Sequence, residues 1–272
     1  MDKLHFFPID VTYRIIDGRA VIFMFGKTAD NKQVCVIDEN FRPYFYIISR
    51  QDIQEKLRKI KLEAKGQEYY ATDTKMQKKK HLGKDVNAVK VFVNLPRAVP
   101  AVRDVVKEWD MIDSINEYDI MYSRRYLIDK EITPMTLCEA KGEFISYKSK
   151  VPVFKASEVE PYSNDTLSKP KVLAIDIETY GSFDKSIMPE KNPILMIAFH
   201  GESFRRVITW KRFKNAPDFV EFVDSESSLI EKTKEIVESY KPDVVSGYFS
   251  DGFDLPYLDV RAKKYKIRLD LG

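Results

Sequence analysis

A chain of 272 residues has room for one large domain or two of ordinary size, and with 44% hydrophobic and 32% charged residues it can bury a core, which excludes general disorder. No apolar run reaches the roughly 18–20 residues of a membrane-spanning helix, and the N-terminal MDKLHFFPID lacks the charged-then-apolar layout of a secretory signal. Lys and Arg number 45 against 42 Asp and Glu, a net charge of +3, so nucleic-acid binding has to come from local patches; the two cysteines, Cys35 and Cys138, make no disulfide framework and fit a reducing cytoplasm.

The first half reads as β-rich with short helices. Residues 19–25 (RAVIFMF), 33–37 (QVCVI) and 42–48 (RPYFYII) are β-branched or aromatic runs of strand length, and Asp17-Gly18 between apolar runs is a hairpin signal. Residues 51–61 carry Ile53, Leu57 and Ile60 at helical spacing. The basic run 75–84 (KMQKKKHLGK) reads as a loop, either a solvated charge cluster or a contact for phosphate. Residues 86–94 return to strand character, 99–109 to helix with Pro100 in its first turn, and 112–120 and 126–128 to strand. Residues 144–147 and 151–154 suit a hairpin, and the polar, proline-bearing 158–170 (EVEPYSNDTLSKP) reads as a linker.

A second domain is expected from Lys171. Strands are expected at 172–177, 194–199 and 206–210, then an amphipathic helix over 225–240 with Leu229, Thr233, Ile236, Val237 and Tyr240 on one stripe. Either Ser225 or Ser228 can cap it. A short buried strand over 243–247 and a helix over 255–264 follow. The order implies an α+β or α/β chain: domain 1–134, a hairpin and linker over 135–170, and a domain 171–272 with a mixed central sheet.

The chemistry concentrates in AIDIET (174–179). Residues two apart in a strand share a face, so Asp176 and Glu178 project together, and the apolar residues before them predict a buried strand on which two carboxylates would need cations or protons. Hard oxygen donors at such a place suit Mg²⁺ or Mn²⁺. Asp254 stands just past the short strand at 243–247, before the last helix.

AIDIET resembles the first exonuclease motif of family B DNA polymerases, and SDGFDLPYL (250–258) the second. Upstream, FRPYFY (41–46), LPRAVPAVRDVV (95–106) and EYDIMYSRRYLIDK (117–130) resemble, in the same order, the archaeal branch of that family. The resemblance implies a β-rich N-terminal domain followed by the first part of an RNase H-like 3′–5′ proofreading exonuclease. In such sites two divalent ions clamp an in-line attack of water on the terminal phosphodiester. It implies Asp176 as ligand to both ions, Glu178 as ligand or water-orienting group, and Asp254 as the remaining ligand; Phe253 is expected in the core. Phe249 stands where the family carries an asparagine that holds the primer end. The third motif, a tyrosine followed four residues later by an aspartate, is not found: Tyr257 is followed at that spacing by Arg261 and Tyr265 by Leu269. Weak metal binding and low or no exonuclease turnover are therefore expected of the chain alone, and no polymerase module is recognisable.

The same resemblance implies a pocket that captures template uracil. Its candidates are Tyr13, Pro43, Val99, Ile120, Tyr122 and Arg125, supported by Pro96 and Arg103. A flipped base needs apolar walls and polar contacts at its edge, and a tight floor at Val99 would exclude the thymine methyl, worth ~1–3 kcal/mol. Arg124 and Arg125 beside Tyr122 suit backbone phosphate next to a stacked base.

The expected role is thus the N-terminal part of a replicative polymerase. Its partners would be single-stranded template DNA, the primer 3′ end, the remaining polymerase polypeptide and a sliding clamp; it would bind no membrane and lie in the cytoplasm with the nucleoid. Two other readings are a short free-standing nuclease completing its site with Asp251 or Asp259, and a non-catalytic docking subunit of a split polymerase. Scattered histidines and the absence of a CxxC pair argue against zinc, and isolated glycines against a phosphate loop.

Overall fold

The structure is a computed structural model that describes residues 2–181, 186–269 and 271. The chain divides into two compact units, Met1–Leu167 and Ser168–Gly272. The first contains β1 (Asp2–Ile16), β2 (Arg19–Thr28), β3 (Gln33–Asp38), β4 (Tyr44–Ser49), α1 (Gln54–Arg58), β5 (Lys61–Ala64), β6 (Gln67–His81), β7 (Lys84–Val93), α2 (Ala98–Val106), β8 (Ile112–Asn116), α3 (Tyr122–Asp129), β9 (Thr136–Ile145) and β10 (Val153–Thr166). The second contains β11 (Val172–Thr179), β12 (Ile194–Gly201), β13 (Phe204–Thr209), β14 (Val220–Phe222), α4 (Glu226–Tyr240), β15 (Val244–Ser246) and α5 (Asp254–Lys264). No helix among the described residues is long and apolar enough to cross a membrane.

Strands β1-β2-β3-β10-β9 close a barrel. Its first hairpin turns at Asp17 and Gly18, both with positive φ (48° and 74°), the turn chemistry that matches the twist of the flanking strands. Phe6, Ile22, Met24, Val36, Cys138, Ala140 and Phe154 fill the barrel. The expected linker is corrected here. Residues 158–166 belong to β10, which pairs antiparallel with β9 and parallel with β3, so the segment closes the barrel. Its polar outer face and Pro161 hid an alternation in which Ala156 and Val159 point inward. The strand bulges between Ala156 and Glu158, opposite Gly142, where a Cβ would stand 1.9 Å from the Lys155 carbonyl oxygen.

The second sheet of this unit has the order β5-β6-β7-β4-β8, with Phe45, Ile47, Val89 and Val91 packed against Leu57 of α1 and Val102 and Val106 of α2. The basic run is not a loop. It forms the arms of the β6–β7 hairpin, which turns through Leu82 and Gly83, both at positive φ. The expected strand over 126–128 is helix α3 instead: Tyr122 and Tyr126, four apart, lie on one helical face and pack on the barrel, with the Tyr126 hydroxyl donating to Asp38 at 2.9 Å.

In the second unit the sheet order is β14-β13-β12-β11-β15, with β11, β12 and β13 an antiparallel meander and β15 parallel to β11. Leu173, Ile175, Ile177, Ile197, Phe199 and Ile208 face Leu229, Ile230, Ile236 and Val237 of α4 and Leu258 and Ala262 of α5. Ser225 is the N-cap of α4, accepting the Ser228 N–H at 3.2 Å. Lys241 closes the helix in the left-handed region at φ 51°, and Pro242 cannot extend it. The chain is thus a mixed α and β fold: a β-rich N-terminal unit, then a mixed sheet with helices.

Candidate active site

β11 lies between β12 and β15, which makes it interior to the sheet, and its alternation places Leu173, Ile175 and Ile177 in the core. Asp176 and Glu178 therefore share the opposite face, across from Ala198 and Met196 of β12. Both side chains are exposed. This corrects the expectation of a buried carboxylate pair: the strand is interior to the sheet, but its second face is open to solvent.

Asp254 approaches the same strand from another direction. The parallel ladder between β11 and β15 ends at Ala174 and Ser246. Beyond it, the Ile177 N–H is taken by Asp254 Oδ1 at 3.1 Å. Asp254 is the first residue of α5 and 3% exposed. One of its two oxygens is thus committed to the backbone between Asp176 and Glu178.

The donors suit a hard divalent cation in kind, yet their arrangement does not form a cage. Among the described residues no three Asp, Glu, His or Cys side chains converge closely enough to hold an ion. Asp251 is exposed, and Asp259 lies on α5 with its carboxylate on Lys263 Nζ at 2.6 Å.

Asp176 borders a cleft of about 410 Å³ on the open face of the sheet. The ladder sets Asp176, Ala198 and Val207 in one row and Ala174, His200 and Arg205 in the next. His200 and Arg205 thus line the same cleft as Asp176 with groups suited to an anionic strand, a feature that strand registry reveals and sequence spacing does not. Tyr248, 96% exposed, lines the cleft beyond β15. Phe249, in the place of the expected asparagine, has φ 58° and is 72% exposed. Phe253, expected in the core, is exposed and tilts against Tyr257 at 5.5 Å.

Behind this surface lies a network that sequence reading missed. Arg261, 2% exposed, donates through Nε to Glu226 Oε1 at 2.7 Å and through Nη2 to Oε2, and Tyr265 donates to Oε2 at 2.7 Å. Glu226 Oε1 also accepts the Ile194 N–H at 2.8 Å, and Arg261 Nη1 reaches the Pro189 carbonyl at 2.9 Å. Tyr257 donates to the Asn192 carbonyl at 2.8 Å. Tyr257, Arg261 and Tyr265 therefore fix α5 to α4 and to the start of β12.

In the first unit the uracil-pocket candidates fall into separate packed groups. Tyr13 meets Tyr122 edge-on at 5.2 Å, and the Tyr122 hydroxyl donates to the Phe41 carbonyl at 2.5 Å, so the polar end of that ring is satisfied by backbone. Burial pushes the Tyr122 phenol well above its ordinary range. Pro43 is buried and its carbonyl accepts the Val93 N–H at 3.0 Å. Val99 packs with Val91 and Val102 in the other core, one turn after Pro96, whose carbonyl accepts its N–H at 3.2 Å. Ile120 is half-buried before α3. Arg103 is held by Asp104 at 2.7 Å and lies over the Tyr118 ring at 4.7 Å. Only Arg124 of the arginine pair is exposed. Arg125 is buried, 2.6 Å from Glu117 and 4.9 Å from the Tyr44 ring centre, which corrects its expected role as a phosphate contact.

The family model for the exonuclease domain of DNA polymerase family B matches residues 114–271. A DNA polymerase of Pyrococcus glycovorans is 35% identical over 265 residues, covering 97% of this chain and 30% of the relative. A DNA polymerase of Methanocaldococcus jannaschii is 35% identical over 270 residues, covering 97% of this chain and 15% of the relative. The chain thus spans less than a third of the length of these relatives. The family B DNA polymerase of Pyrobaculum calidifontis superimposes with a TM-score of 0.80 at 24% identity, covering 98% of this chain and 33% of that one, a likeness of fold.

Proposed function

The chain belongs to the family B DNA polymerases, and on that premise we propose that it is the strand-binding and 3′-end-processing portion of such an enzyme. The observation that carries the reading is the placing of Asp176 and Glu178 together on an open sheet face, with Asp254 anchored to the backbone between them. Asp176, Glu178 and Asp254 are the proposed catalytic and metal-binding groups, and Mg²⁺ or Mn²⁺ the proposed cofactor. Arg205 supplies positive charge and His200 a ring nitrogen in the cleft that Asp176 borders, groups suited to the phosphates of a DNA strand. With Asp254 engaged at Ile177 and no three-carboxylate group formed among the described residues, hydrolysis by this chain alone is expected to be weak.

The first unit is proposed to hold template single-stranded DNA and to prefer uracil. The supporting features are the Tyr13–Tyr122 aromatic pair, the Pro96 turn that leads into Val99, and exposed Arg124. Arg125 and Arg103 act there by positioning Glu117 and Tyr118.

The test is a pair of measurements on the whole chain. Release of nucleotides from a labelled 3′ end with Mg²⁺ or Mn²⁺ is expected to be slow and to vanish in Asp176→Ala; release undiminished by that change would overturn the site. Fluorescence titration with strands carrying uracil or thymine is expected to show tighter binding of uracil, and equal affinity would remove the base preference.

A further inference from the structure

The β6–β7 hairpin carries charge on one face in a pattern that the proposed site does not use. Its cross-strand rows are Asp73 with Phe92, Lys75 with Lys90, Gln77 with Ala88, Lys79 with Val86 and His81 with Lys84. On the neighbouring strand β4, Tyr44 and Tyr46 stand beside Phe92 and Lys90. The cations lie over the rings: Lys90 Nζ is 3.4 Å from the centre of Tyr44, Lys79 Nζ 4.8 Å from Tyr46, and the Arg42 guanidinium 4.1 Å from Phe92.

Elsewhere in this unit several basic side chains have acidic partners: Lys3 with Glu139, Lys141 with Glu158 and Glu160, Lys155 with Glu39, Arg50 with Asp113. On the hairpin face Lys75, Lys79, Lys84 and Lys90 have no ion-pair partner among the described residues, and Asp73 is occupied by Arg42 at 3.6 Å. Lys75 directly opposite Lys90 is a like-charge pair, which costs stability in an antiparallel sheet. Burial holds the Lys90 ammonium below its ordinary range, with Asp129 and Glu117 opposing and Lys79 and Arg125 reinforcing it. A cationic strip over aromatic rings is complementary to a polyanion that also has flat apolar surface.

We propose that this face, centred on Lys75, Lys79 and Lys90, tracks the phosphate backbone of a single DNA strand. The proposal rests on the reading of the chain as a DNA-strand binder and adds to it a surface outside the carboxylate site and the uracil-pocket candidates. A single strand suits the face better than a duplex because its unstacked bases can stack on the Arg42 guanidinium that covers half-buried Phe92 while its phosphates meet the lysines. From residue 75 to residue 81 the strand rises about 20 Å, enough for several phosphates.

The test uses the whole chain and a fluorescein-labelled oligothymidylate, with binding measured across a series of salt concentrations. Lys75→Gln/Lys79→Gln/Lys90→Gln is expected to weaken binding at least tenfold and to flatten the log affinity against log salt line by about 0.7 for each phosphate no longer neutralised. Lys75→Gln/Lys79→Gln, which leaves the packing of Lys90 on Tyr44 intact, is expected to give the same effects in smaller measure. Lys3→Gln/Lys32→Gln/Lys155→Gln, an equal change of charge on the barrel rather than on this sheet, is expected to leave both unchanged. Wild-type binding with unaltered affinity and slope in both hairpin variants would overturn the hairpin proposal and leave the DNA-binding reading standing. Failure of the wild type to bind any strand would overturn both. A duplex held as tightly as the single strand through the same lysines would overturn the choice of strand.

Discussion

Asp254 does for Ile177 what a neighbouring strand does elsewhere in the sheet: its Oδ1 accepts the Ile177 N–H at 3.1 Å, where the β15 ladder has already ended. A group proposed for catalysis is therefore also a structural acceptor. Asp254→Ala is expected to lose about 1–3 kcal/mol of stability, because it leaves a buried N–H unsatisfied. Asp254→Asn keeps an oxygen at that position and is expected to stay within about 1 kcal/mol of wild type. Urea unfolding of the two variants separates these outcomes. Equal loss in both would show that the carboxylate charge, rather than the hydrogen bond, holds the strand. Of the two, Asp254→Asn is the cleaner probe of hydrolysis.

Glu226 and Arg261 form a buried ion pair whose oxygens also serve Ile194 and Tyr265. Removing one partner strands the other's charge, so Glu226→Ala and Arg261→Ala are each expected to destabilise the second unit by about 3–5 kcal/mol. The double replacement Glu226→Leu/Arg261→Met is expected to cost less than the sum of the single changes, since no buried charge remains. Thermal or urea unfolding tests this, and simple additivity would show that the pair is not energetically coupled.

The same network predicts a pH dependence. Burial pushes the Glu226 carboxyl upward, but the Arg261, Ile194 and Tyr265 donors outweigh it and hold it below the ordinary carboxylate range. A carboxylate depressed in the folded state contributes stability that is fully present above its unfolded pKa, about 4.3, and is lost as pH falls through the folded value. Wild type is therefore expected to lose stability more steeply between about pH 5 and pH 2 than Glu226→Gln, whose curve starts lower and is flatter. Parallel curves for the two proteins would assign the acid sensitivity to other carboxylates.

Much of this was legible in the sequence where local pattern and tertiary role agree. The apolar runs of β2, β3, β4 and β11, the Asp17-Gly18 turn and the stripe of α4 follow from period and turn chemistry alone. Residues 158–166 read as a linker because β10 shows solvent a polar face and carries Pro161, and only its pairing with β9 and β3 makes it a strand. The acidic pair was found by its spacing, but its exposure depends on which sheet face the helices cover, and that is a tertiary fact. His200 and Arg205 became neighbours of Asp176 through strand registry, and Glu226 looks in the sequence like any acidic residue in a first helical turn.

Phe249 and Gly252 mark a local conflict beside the site. Phe249 occupies the left-handed region at φ 58°, unfavourable for a bulky side chain, and its ring lies where a Cβ on Gly252 would stand 2.3 Å from Cζ. Asparagine tolerates that backbone far better, so Phe249→Asn is expected to raise stability by about 1 kcal/mol, read as a shift in urea midpoint. The exposed ring stands close in sequence to Asp254, the first residue of α5, and an exposed aromatic offers a face to an unpaired base. Phe249→Asn is accordingly expected to weaken binding of a short single-stranded oligonucleotide by about 1–3 kcal/mol, the worth of one base stacked on an aromatic ring. Gain in stability together with loss of strand affinity would mark Phe249 as a strained residue kept for contact with DNA. A gain in stability with unchanged affinity would leave the strain without a role in binding.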